Sequence, residues 1–206
     1  SRHLKTAILR KLNQKEEALN LASDSLEIDP FNFGILYEIY LLGDAQALSK
    51  MKERFRGNIH NYMEVALDYA WAGMYSEAIS LLELGISDQE TLYPMALYYL
   101  SWFFYRSGKS DEALKTVLKA EKCSPDHCFP NQVESVPALK LAIRINPEGA
   151  KAPYYLGNFW YNARQYREAL ECFERSAQID NTFPTVFRNL ALAYFNKFDL
   201  QEKALH

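Results

Sequence analysis

The chain has 206 residues, of which 49% are apolar and 24% charged. That is the composition of an ordinary globular protein long enough to bury a core, and it excludes a disordered chain, a fibre or a disulfide miniprotein. Twenty-three Lys and Arg face 26 Asp and Glu, a net charge of −3, so the basic excess of a dedicated nucleic-acid binder is missing. The longest uncharged apolar run, 91–105, has fifteen residues, against the roughly 20 that a membrane-spanning helix needs. The expectation is neither nucleic acid nor membrane. Ser1-Arg2-His3-Leu4-Lys5 carries no signal core and no initiator Met, so the chain reads as a fragment. Three cysteines, an odd count, argue for reduced thiols and a cytoplasmic setting.

A small residue recurs after short acidic or polar openings. The first instance is Lys15-Glu-Glu-Ala18-Leu, with Pro30 closing a unit whose first helix looks poor. A shortened second unit spans Tyr37 to Phe55, with Ala47 at the small position and Asp44 after Gly43 as an N-cap. In the third, Tyr62, Val65, Ala66 and Tyr69 form a helical stripe before Gly73 and Ala78. The fourth has Leu100 and Phe104, then Gly108, Ala113, Ala120 and Pro125. Gly73 and Gly108 suit left-handed positions between helices.

Five of the eight prolines fall between Ala113 and Ala169: Pro125, Pro130, Pro137, Pro147 and Pro153. The run Cys123 to Pro130 is predicted as an extended loop, and Val136 to Ile145 as one helix tolerating Pro137 in its first turn. Regular spacing then resumes. Leu156, Gly157 and Trp160 precede Ala169, Phe173 and Ser176; Phe187, Leu190, Ala191 and Tyr194 precede Ala204. Ala78 to Ala113 and Ala169 to Ala204 are each 35 residues apart. No stretch alternates as a strand does.

These residues resemble the tetratricopeptide repeat, whose W-x2-L-G-x2-Y and A-x3-F pattern is matched by Leu156-Gly157, Trp160, Ala169 and Phe173. The resemblance implies an all-α fold, an α–α solenoid wound as a right-handed superhelix of helix pairs. The expected division is 1–122 as about four helix pairs, 123–150 as a Pro-rich loop plus one unpaired helix, and 151–206 as further pairs, the last truncated. From Cys123 onward the chain is similar to the repeat region of large bacterial proteins with an N-terminal, carbohydrate-active-like domain of unknown function. An accessory role beside such a domain, or contact with a sugar, is the alternative reading.

Catalytic motifs are not found. No two of the eight glycines lie closer than eight residues, which excludes dinucleotide and P-loop fingerprints. Glu16-Glu17 and Asp111-Glu112 open helices, where acids suit the dipole, and Glu171 and Glu174 read as solvated. Cys123, His127 and Cys128 lack a second ligand pair for a metal site. His206 reads as a tag remnant. The expectation is no enzyme, no cofactor and no metal.

In the family, first helices line a concave face. The inward positions, carried onto this sequence, include Tyr98, Trp102, Tyr105 and Arg106, then Tyr154, Asn158, Tyr161 and Asn162, then Arg188 and Asn196. They are the expected partner-binding residues, for a protein, a peptide or a domain missing from this chain. Only Asn158 and Arg188-Asn189 match the family's clamp for C-terminal carboxylates. The alternative for each ring is burial between repeats. The last apolar face, ending at His206, is expected to self-associate unless the natural chain continues.

Overall fold

The computed structural model describes residues 1–205. Thirteen helices and no strand occur among the described residues, as the missing strand period implies. They fall into two compact units, 1–90 and 91–206.

The first unit holds α1 (Arg2–Lys11), α2 (Lys15–Ile28), α3 (Phe33–Leu41), α4 (Ala45–Phe55), α5 (Ile59–Trp71) and α6 (Tyr75–Ser87). Consecutive helices pack as hairpins: α1 on α2, α3 on α4, α5 on α6. The Asp44 carboxylate accepts from the Gln46 backbone N–H at 2.8 Å, the expected N-cap. Gly73 turns α5 into α6 at φ 74°, where an L side chain is strained.

The second unit holds α7 (Pro94–Arg106), α8 (Ser110–Glu121), α9 (Ser135–Ile145), α10 (Lys151–Asn162), α11 (Tyr166–Ile179), α12 (Pro184–Phe198) and α13 (Gln201–Leu205). The hairpins are α7 with α8, α10 with α11, and α12 with α13. The additional helix α9 packs against both α7 and α10. Ser101 donates to the Ala113 carbonyl at 2.8 Å, joining α7 to α8. Ser176 of α11 donates to the Ala150 carbonyl at 2.7 Å, just ahead of α10. The stripe Ala169, Phe173 and Ser176 is fully buried, as are Ala18, Ala78 and Ala113.

Two expectations are corrected. The first helix is regular over ten residues, although its buried face is His3, Thr6 and Ala7, too polar to read as core. Glu174 is not simply solvated: it accepts a 2.6 Å hydrogen bond from the Tyr194 hydroxyl, tying α11 to α12. Burial and that bond push the Tyr194 pKa up to about 12.

The polar face of α1 is held by a charged cluster. Glu38 on α3 is fully buried. Its carboxylate accepts from Arg10 Nε at 2.7 Å and from the Tyr69 hydroxyl at 2.7 Å. Arg10 also donates to Glu77 at 3.0 Å, and Lys11 pairs with the same oxygen. Burial works against the Arg10 cation, but its bonds to Glu38 and Glu77 outweigh it and hold the pKa above its ordinary value. Arg10→Met strands a carboxylate without solvent and should cost about 3–5 kcal/mol, whereas Arg10→Met with Glu38→Met should cost less than the single change. Urea unfolding of both variants checks the order.

Close approach of α10 and α11 depends on Gly157. A methyl group there would lie 2.5 Å from Phe173 Cε1. Alanine in place of glycine ordinarily favours a helix interior by about 1 kcal/mol, but overpacking costs about 1–3 kcal/mol. Gly157→Ala should therefore lower the melting temperature, and a raised one would refute the contact.

Candidate functional site

The expected binding residues all lie in the second unit, and the structure sorts them by depth. Tyr98 is 0% exposed. Its ring lies edge-on to Tyr155 at 5.9 Å, and burial raises its hydroxyl pKa well above the ordinary value. It is core and offers no partner surface. Trp102, 6% exposed, is also largely core, while Tyr105 is 37% exposed and Arg106 is exposed. The i, i+4, i+7 stripe on α7 thus descends from surface to interior, because α9 packs on α7 and the Tyr155 ring of α10 meets Tyr98.

Tyr154 on α10 is buried among Tyr155 and Phe183, at ring separations of 5.3 and 4.8 Å. Asn158 and Tyr161 are half-buried, Asn162, Arg188 and Asn196 exposed. Five of these residues meet in one place. A pocket of about 310 Å³ is lined by Asn158, Tyr161, Asn162, Phe173, Arg188, Asn189, Leu192 and Phe129. A second, about 280 Å³, shares Phe129, Asn158, Arg188 and Asn189 and adds Tyr154, Thr185 and Pro125 to His127. Together they form a groove between α10, α12 and the loop before α9.

At its floor Asn189 donates to Asn158 Oδ1 at 2.8 Å, cross-linking the two helices. The Asn158 Nδ2 is buried and has no hydrogen-bond partner. Asn196 sits one turn beyond Leu192 on α12 and lines neither pocket.

Phe129 was not anticipated. It stands 68% exposed over the groove, while the adjacent Cys128 is buried at the phenols of Tyr93 and Tyr155. Burial pushes the Cys128 thiol up to about 11, so it anchors the loop as a neutral apolar group. His127 takes a left-handed turn, φ 56°, immediately before it. Lys140 and Arg144 were missed as well. They join Trp102, Tyr105, Arg106, Pro137 and Leu141 around a separate pocket of about 420 Å³ between α7 and α9. Among the described residues no three His, Cys, Asp or Glu gather as a metal site, and no helix is long and apolar enough to cross a membrane.

No family model and no curated protein matches the chain. Solved structures align along most of it at low scores. The crystal structure of MamA is 18% identical over 97% of this chain and 88% of its own, at TM-score 0.35. YrrB, described as a TPR protein with an unusual peptide-binding site, is 20% identical over 97% and 77%, at 0.34. A human IFIT1 dimer with m7Gppp-AAAA is 17% identical over 92% and 43%, at 0.35.

The burial pattern separates core rings from surface rings in a measurable way. Tyr98→Ala should cost about 3–5 kcal/mol, as large aromatic truncations in cores do, and Trp102→Ala should also destabilise strongly. Tyr161→Ala should cost about 1 kcal/mol or less. Thermal melts of the three variants give the ranking.

Proposed function

We propose that the chain is a non-catalytic interaction module that holds an extended segment of a partner polypeptide in the groove between α10 and α12. The observation that carries this reading is the Asn158–Asn189 pair at the groove floor, with the Asn158 Nδ2 left without a partner. An orphaned buried donor costs about 1–3 kcal/mol, and a rotation of the half-buried Asn158 amide toward the groove would let a peptide carbonyl recover it. Asn162 and Asn189 each offer donor and acceptor together, which suits a backbone amide. Arg188 suits a carboxylate, and Leu192 with Phe129 suits one apolar side chain. The peptide-binding site in YrrB's description belongs to that protein and adds nothing to the geometry here.

The three cysteines are free thiols, which fits a reducing compartment such as the cytoplasm. The resemblance from Cys123 onward supports a place in a larger bacterial polypeptide, whose other domain would then be one occupant of the groove. Nothing in the groove favours a sugar over a peptide.

Peptides selected from a random display library on the intact chain test the reading. Their affinity should fall roughly tenfold, about 1.4 kcal/mol, in Asn158→Leu/Asn189→Leu, which keeps the branched side-chain shape and removes the amides. Unchanged affinity in that variant, with its melting temperature near wild type, would overturn the proposal.

A further inference from the structure

The pocket between α7 and α9 has a chemistry of its own. Its lining holds three cations, Arg106, Lys140 and Arg144, and no carboxylate. Its floor is apolar, from Trp102, Leu141 and Pro137. Among the described residues Lys140 and Arg144 form no ion pair. They lie against rings instead: Arg144 Cζ is 4.9 Å from the Tyr105 centroid, and Lys140 Nζ is 5.9 Å from that of Trp160.

Helix dipoles account for part of this. Arg106 ends α7 and Arg144 stands one residue before the end of α9, where cations are favoured. Lys140 is in the middle of α9, and it is four residues from Arg144. Like charges at that spacing face each other and repel. The local structure thus bears an uncompensated cost, of the kind that an anionic ligand removes.

We infer that this pocket is a second binding site, independent of the α10–α12 groove, for an acidic segment of a partner polypeptide in which carboxylates flank a large aliphatic side chain. Carboxylates match the rim of Arg106, Lys140 and Arg144, and the aliphatic group matches the floor. A nucleic-acid strand is the poorer match. Its bases need open ring faces on which to stack, but the Tyr105 ring is already capped by Arg144 and Trp102 is almost fully buried. Residues 91–206 carry 14 Lys and Arg against 12 Asp and Glu, too small an excess for a continuous phosphate track.

The test uses a short fluorescein-labelled peptide alternating Glu and Leu, its Gln-for-Glu counterpart, and a labelled oligo-dT strand, measured by anisotropy on the intact chain. The Glu peptide should bind with affinity that falls as salt rises. Binding should weaken at least roughly tenfold for the Gln peptide, and equally for Lys140→Gln/Arg144→Gln. Asn158→Leu/Asn189→Leu should leave it unchanged. Equal binding of the Gln peptide, equal binding by the Lys140/Arg144 variant, or tighter binding of oligo-dT would each overturn the site. Loss in the Asn158/Asn189 variant alone would place the peptide in the groove, leaving the proposed function intact and removing this one.

Discussion

Three helix crossings place a ring where the facing helix has no side chain. Gly34 on α3 meets the His3 imidazole of α1, Gly85 on α6 meets the Tyr62 ring of α5, and Gly157 on α10 meets the Phe173 ring of α11. A built Cβ would come within 2.5 Å of ring carbon at each, closer than real contacts permit. The helix axes can approach only because one partner is reduced to backbone, and the ring then fills the volume that approach leaves. Fully buried alanines, Ala78 and Ala169 among them, serve the same hairpins with one carbon more. Everything that reaches the surface of α10, including the Asn158 amide, is positioned by how closely Gly157 lets α11 come.

The hairpin register was legible in the sequence because it depends on residue size at fixed spacing. Ala113, Ala169 and Phe173 announce close contacts wherever they recur, and Gly73 and Gly108 mark the turns. The first helix was poorly legible because polar residues do the work of apolar ones there. Glu38 reads as a surface residue until Arg10 and Tyr69, 28 and 31 residues away, are known to meet it. No local pattern encodes a pairing at that distance.

The candidate surface was half legible for a related reason. Helical spacing places Tyr98, Trp102 and Tyr105 on one stripe, and that much holds. Which part of a stripe is covered depends on neighbours that spacing does not specify. Helix α9 and the Pro-rich loop lie outside the repeat pattern, and they decide the matter: the helix brings Lys140 and Arg144 to α7, and the loop brings Phe129 to α10 and α12. Irregular segments line both candidate pockets here, as loops on rigid scaffolds often line sites.

The loop's attachment has a further consequence. Between Cys123 and Glu134 its one buried side chain before Pro130 is the Cys128 thiol, seated at Tyr93 and Tyr155 with its ionisation suppressed. A thiol so held is slow toward electrophiles while seated and becomes ordinary once it leaves. Cys123, five residues earlier and half-buried, stays within reach of reagent. Any lifting of Phe129 from the groove would free the Cys128 sulfur, so the lag of its labelling behind Cys123 and the half-buried Cys172 would time that event.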